Sequence, residues 1–293
     1  MPRNFFEQTV GKNGMEKILL TAGDGARAEV YLHGGQVTSW VAADGLERLF
    51  LSERSKFLPG EAIRGGAPVI FPQFGDQGPL RKHGFARRLT WEFLGAEESQ
   101  GSVVGKFALN DSAETRSAWP APFHLELAVR VGGPVLELAL AVHNPGPDAF
   151  EFTGALHTYL RAAEVGETHI EGLEGHETVD TTVKPPAREV QSQKFLTFHG
   201  EVDRIYPGAP DQVGLRENQR ALRVEKDGFP DLVVWNPGQK LAAALADLGV
   251  NDYRRFVCIE AGVVTIPRRV EPGETWRGAQ RLTVEPPPDL LSG

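Results

Sequence analysis

The segment His124-Leu-Glu-Leu-Ala-Val-Arg-Val131, the break Gly132-Gly133-Pro134 and the segment Val135-Leu-Glu-Leu-Ala-Leu-Ala-Val142 decide the fold. In the first, Leu125, Leu127, Val129 and Val131 alternate with His124, Glu126, Ala128 and Arg130. A period of two puts one set on a single face of a pleated strand; a helix would scatter the same residues around its axis. The Gly-Gly-Pro break between two such runs predicts an antiparallel hairpin. Shorter runs of this kind stand at Ala28 to Leu32, Val37 to Val41, Leu232 to Trp235, Phe256 to Glu260 and Leu282 to Val284. Each is bounded by Gly, Pro, Asp or Asn, the residues that turn a chain. Amphipathic helical stretches of a dozen residues are hard to find, and strands do not alternate with helices. The expected fold is therefore all-β, a large antiparallel β-sandwich rather than a parallel α/β sheet. A ligand of such a fold sits on a concave sheet face or at loop ends, held by residues far apart in sequence.

The composition agrees with this and narrows the function classes. The chain has 293 residues, 31 Lys or Arg against 39 Asp or Glu, and a formal charge of −8. Binders of nucleic acid or anionic lipid usually carry a basic surplus, so neither partner is expected. The 33 glycines and 21 prolines are spread along the chain. No repeat, charge block or spacer marks a boundary, which predicts one domain over residues 1–293, with an irregular tail from Pro286-Pro287-Pro288 to Gly293. The longest apolar candidate for a membrane span, Leu241 to Leu245, is far too short and is soon ended by Asp247. Met1 to Val10 lacks an apolar signal core. Cys258 is the single cysteine, so no intrachain disulfide forms and a cytoplasmic location is expected.

Three segments are rich in groups that bind or react. The first is Ala62-Ile-Arg64-Gly65-Gly66-Ala-Pro68-Val-Ile-Phe71-Pro72-Gln-Phe74-Gly75, followed by Lys82-His83-Gly84-Phe85-Ala86-Arg87. Arginine presents a planar fork of donors that matches phosphate or carboxylate oxygens in pairs. The alternative is that Arg64 and Arg87 are surface residues or close internal ion pairs. The second is Phe152-Thr-Gly-Ala-Leu-His157-Thr-Tyr-Leu160, where a group that titrates near neutrality lies inside a strand-like run. It is either a proton-transfer group or a core histidine satisfied by a backbone carbonyl. The third is Arg255-Phe-Val-Cys-Ile-Glu260-Ala-Gly262. There Glu260 is either a buried carboxyl with a raised pKa, suited to act as a base, or the solvent-facing member of an alternating strand. The eight histidines form no His-x-His or His-x-x-x-His pair, and with one cysteine no metal site is expected. The Gly-x-Ser-x-Gly elbow of serine hydrolases is absent, whereas a paired-carboxylate glycosidase is not excluded by spacing.

The order Arg-Gly-Gly-x-Pro-x-x-Phe-Pro-x-Phe-Gly, His-Gly-x-x-Arg, Leu-His-x-Tyr and a late Glu resembles the hexose-6-phosphate mutarotases of the aldose 1-epimerase superfamily. The likeness runs from about Tyr31-Leu32-His33-Gly34-Gly35 through Val234-Trp235-Asn236-Pro237 to Trp276. It implies a single β-supersandwich of the galactose mutarotase type. It also implies an enzyme that opens and recloses the ring of a hexose 6-phosphate, glucose 6-phosphate first among them, without a cofactor. By position it assigns His157 as acid and Glu260 as base, Arg64 and Arg87 to the 6-phosphate, and His83 and Asp203 to substrate contacts. Where some relatives carry glutamine before His-Gly, this chain has Lys82, a candidate substrate contact. A carboxylate beside an imidazole is expected to hold it protonated. Two other readings stay open: a mutarotase of neutral aldoses, which has no need of the arginines, and a non-catalytic carbohydrate-binding sandwich, which has no need of both His157 and Glu260. Oligomeric state is not legible.

Overall fold

The computed structural model describes residues 5–218 and 220–286. The tail from Pro287 onward, expected to be irregular, lies outside them. Among the described residues the strands form three antiparallel sheets. Strands Phe6–Val10, Glu16–Thr21, Arg27–Tyr31 and Gln36–Val41 form a meander in chain order. A nine-stranded sheet runs Phe195–Thr197, His169–Glu171, Gln212–Glu217, Arg220–Asp227, Thr275–Glu285, Val135–His143, His124–Gly132, Ser102–Asn110, Glu92–Ser99. An eight-stranded sheet runs Ala187–Val190, Glu177–Asp180, Val202–Tyr206, Asp231–Asn236, Phe256–Val270, Phe150–Leu156, Val69–Ile70, with Tyr159–Arg161 also paired to Phe256–Val270.

The expected hairpin is present. Leu127 pairs with Leu140 and Val129 with Leu138, around a turn in which Gly133 has φ of +57°. The face of Leu125, Leu127, Val129 and Val131 is buried, as its alternation requires. One apolar cluster extends from Ile18 to Leu282 and joins that face to Val257, Ile259, Ala261 and Val263. The strand Phe256–Val270 has a second buried face. Phe256 and Cys258 belong to another cluster with Tyr159 of the neighbouring strand and with Phe50, Ala242 and Leu248, contributed by loops and the short helix Gly238–Ala244. Alternation is obeyed, but the side turned away from the main core is roofed over by connecting chain. Among the described residues no helix is long and apolar enough to cross a membrane.

Candidate active site

Strand register assembles the site. Asp203 pairs with Trp235, Trp235 with Cys258 and Cys258 with Tyr159, a row across four adjacent strands. Two residues along, Ile205 pairs with Val233 and Val233 with Glu260. Leu156 pairs with Ala261 and Tyr159 with Cys258, so the intervening His157 lies opposite Glu260 and Thr158 opposite Ile259. Residues two apart on a strand share a face. His157, Tyr159, Cys258, Glu260, Trp235 and Asp203 are therefore on one surface, beneath the roof of loops.

The ladder loosens at His157. Its amide bonds Pro68 O at 3.0 Å, while the Thr158 amide turns back to Leu156 O at 3.1 Å. Beyond this point Ile259 N rejoins Thr158 O at 3.1 Å. His157 Nε2 lies 3.3 Å from Glu260 Oε1. The imidazole stacks on Tyr159 at 4.9 Å and 10°, with Trp235 edge-on at 6.0 Å. Both members are buried, and neither His157 Nδ1 nor Glu260 Oε2 has a hydrogen-bond partner. His157 is thus not a core histidine satisfied by a carbonyl, and Glu260 does not face solvent.

Burial pushes the Glu260 pKa well above the usual carboxylate range, with Asp203 adding to the rise. Burial also pushes His157 well below its ordinary value, helped by Arg87 and Arg64. This differs from the expectation that the carboxylate holds the imidazole protonated. In a dry site the neutral pair, imidazole and carboxylic acid, costs less than the ion pair.

The other expected residues divide into two groups. Arg64 is engaged internally: Nε bonds Asp247 Oδ2 at 3.1 Å and Nη1 bonds the Tyr159 hydroxyl at 3.0 Å. The ion-pair alternative therefore describes its visible contacts. Arg87 donates through Nη2 to Lys82 O at 3.0 Å, and its Nε is buried without a partner. Burial and Arg88 push its pKa down to about 10. Lys82 is exposed. Its charge acts on His157, Glu260 and Asp203 alike, which puts it near them. His83 is buried edge-on to His157, with ring centres 5.5 Å apart. Its Nδ1 accepts from Gly75 N at 3.2 Å, so the neutral ring carries its proton on Nε2. Burial, then Arg87, hold it far below its usual pKa. Asp203 is half-buried, and its pKa is raised by that burial.

The glycines beside Arg64 are required by close approach. Gly66 has φ of +65°, and a Cβ there would lie 2.1 Å from Val37 O. Its carbonyl accepts from Tyr159 N at 2.8 Å, which ties the Arg-Gly-Gly turn to the site strand.

The sequence reading did not place Tyr159, Trp235, Cys258 or Asp247 at the site. The first three share the spacing of two with His157, Val233 and Glu260, a signal available in advance. Asp247 reaches Arg64 across 183 residues and had none. His157, Cys258 and Glu260 also bring three potential metal ligands within 4.8 Å, a grouping not expected from spacing. The cations Arg87, Arg64 and Lys82, which depress the histidine, oppose a divalent ion in the same place.

The architecture is the β-supersandwich of mutarotase-like proteins. The chain belongs to the aldose 1-epimerase family, whose profile matches residues 16–283. A Cenchrus ciliaris protein named "Putative glucose-6-phosphate 1-epimerase" is 36% identical, with 98% of this chain and 90% of that one covered. An Escherichia coli K12 protein of the same name is 33% identical, over 88% and 87% of the two chains. The crystal structure of a "putative mutarotase (YeaD)" from Salmonella typhimurium superposes with a TM-score of 0.89 at 28% identity, covering 98% of this chain and 95% of the other. The chain is accordingly an isomerase acting on a small sugar.

Proposed function

We propose that the protein interconverts the α and β anomers of a hexose 6-phosphate, with glucose 6-phosphate the first to test, by proton transfer through His157 and Glu260. The observation that carries the reading is the cross-strand pair. Two buried titratable groups lie 3.3 Å apart, each with an unpartnered outer atom. The names of the relatives at 36% and 33% identity support the substrate.

With the proton on His157, the Glu260 carboxylate takes the C1 hydroxyl proton while the imidazolium protonates the ring oxygen. The bond from C1 to the ring oxygen breaks and C1 becomes the aldehyde carbon. The pair is left as carboxylic acid and neutral imidazole, the arrangement that burial favours. Rotation about C1–C2 presents the other carbonyl face. The ring oxygen then re-attacks, returning its proton to His157 as Glu260 protonates the carbonyl oxygen. A phosphate carries about −1.5 to −2 charge at neutral pH. Held by Arg87 and Lys82 it offsets cations that depress both members of the pair, so substrate binding raises the proton affinity of the imidazole and of the carboxylate alike. His83 Nε2–H and Asp203 supply a donor and an acceptor for sugar hydroxyls. Arg64, through the Tyr159 hydroxyl, fixes the ring on which His157 stacks. The chemistry draws on no metal or organic cofactor. We take the setting to be cytoplasmic, with neither nucleic acid nor membrane as partner, in keeping with the −8 charge and the single cysteine.

A second reading, a mutarotase of neutral aldoses, is favoured by Arg64, whose contacts are internal. Anomer exchange followed by NMR on glucose 6-phosphate and glucose separates the two. Glu260→Gln and His157→Asn each lower the rate by about 10² or more in a folded protein. Arg87→Ala lowers kcat/KM for the phosphorylated sugar about tenfold to a hundredfold and leaves glucose nearly unchanged. Arg64→Ala lowers both, together with the melting temperature. Near-normal turnover by either acid/base variant defeats that assignment, and equal losses in Arg87→Ala favour the neutral-sugar reading.

A further inference from the structure

A polar side chain in the middle of an apolar core needs a reason. Gln280 belongs to the strand Thr275–Glu285 of the nine-stranded sheet, paired to Leu138 and Lys226, and it is completely buried. It faces across the sandwich, on the side of Trp276 and Leu282. Both ends of its amide are used. Gln280 Oε1 accepts from Thr158 Oγ1 at 2.5 Å, and Gln280 Nε2 donates to Ile259 O at 2.9 Å. A carbonyl only accepts, so the amide orientation is fixed.

The two partners are not arbitrary core positions. Thr158 follows His157 and Ile259 precedes Glu260. They are opposite each other in register and joined by Ile259 N to Thr158 O. Their side chains point to the core, as those of His157 and Glu260 point to the site. The contact falls where the ladder loosens, with the Thr158 amide turned back to Leu156 O. One side chain from the opposite sheet thereby holds the Thr158 hydroxyl and the Ile259 backbone carbonyl directly behind the pair, where the ladder loosens.

We propose that Gln280 is a positioning residue for the His157 and Glu260 pair, acting across the core through Thr158 and the Ile259 carbonyl. The inference rests on the acid/base reading of that pair. Proton transfer is steep in distance, and a misplacement of about 1 Å costs on the order of a hundredfold. An ordinary core hydrogen bond would instead affect stability alone.

The experiment measures kcat, KM and melting temperature on the full chain for Thr158→Val, Thr158→Ser, Gln280→Met and the double variant Thr158→Val/Gln280→Met, beside Glu260→Gln. Thr158→Val and Gln280→Met are expected to lower kcat about tenfold to a hundredfold with KM nearly unchanged. Thr158→Ser keeps the hydroxyl and stays near the parent. Thr158→Val strands Gln280 Oε1, Gln280→Met strands the Thr158 hydroxyl and the Ile259 carbonyl, and the double leaves only that carbonyl without its Gln280 donor, so it regains part of the melting temperature lost in Gln280→Met. Its kcat stays low. A kcat that recovers with stability in the double variant, or a folded Thr158→Val with normal kcat, overturns the inference. Should Gln280→Met fail to fold, the near-isosteric Thr158→Val decides. Normal turnover by Glu260→Gln would remove the acid/base reading and the inference with it. An inactive Glu260→Gln beside fully active Thr158→Val and Gln280→Met removes the inference alone.

Discussion

Glu260 and His157 depart from their ordinary pKa values in opposite directions, and this gives them opposite effects on stability. A carboxyl whose pKa is raised by folding holds its proton more tightly in the folded state. Its stabilising contribution is complete below the unfolded pKa, near 4.5, and is lost as pH rises through the folded value. A histidine whose pKa is lowered binds its proton less tightly when folded, so stability falls as pH drops below about 6.5. Relative to the parent, Glu260→Gln should therefore gain melting temperature steadily as pH rises above 4.5, whereas His157→Asn should gain as pH falls below 6.5. Thermal unfolding of the three proteins from pH 5 to 8 checks this, and parallel curves would contradict it. At this scale the sequence was legible where a titratable residue broke an apolar run, as His157 and Glu260 both do. It was silent on Gln280 and Asp247, whose partners lie 122 and 183 residues away, because side-chain pairing across a sandwich leaves no local trace.

Among the elements, the strands were legible because alternation is imposed by the pleat itself. The runs at Val37 to Val41 and Leu232 to Trp235 fall within Gln36–Val41 and Asp231–Asn236, and the run at Ala28 to Leu32 overlaps Arg27–Tyr31, which ends one residue short of it. The run beginning at Phe256 extends to Val270, beyond the expected Glu260. The exposure of its second face was not legible. Whether that face meets water depends on the roof supplied by Phe50, Ala242 and Leu248, and alternation reports sidedness alone. The Arg-Gly-Gly turn makes its own prediction. Gly66→Ala forces a side chain into φ of +65° and into contact with Val37 O. The conformational cost alone is about 1–3 kcal/mol, and the overlap adds to it. Denaturant midpoints should fall accordingly. Activity should fall too, since the Gly66 carbonyl holds Tyr159 N. An unchanged midpoint would mean that the turn relaxes freely.

Across the whole molecule, sheet order was the least legible property. Phe256–Val270 pairs with Asp231–Asn236 nearby and with Phe150–Leu156 more than 100 residues earlier, and no local pattern encodes such choices. We propose that the chain unfolds as one unit, because a single apolar cluster runs from Ile18 to Leu282 and includes residues of all three sheets. Calorimetry should give one transition with calorimetric and van't Hoff enthalpies in agreement; two resolved transitions would divide the chain.

The proton pair is buried, while Lys82 lies in the open and Arg87 half so. Dissolved ions screen charges that water reaches and act far less on those it does not, with a Debye length near 10 Å at about 0.1 M salt. Added salt should thus raise KM for the phosphorylated sugar and leave kcat almost still. Binding and chemistry in this protein would then answer to different solvents: the electrolyte outside for capture, and the dry floor of the sheet for the reaction.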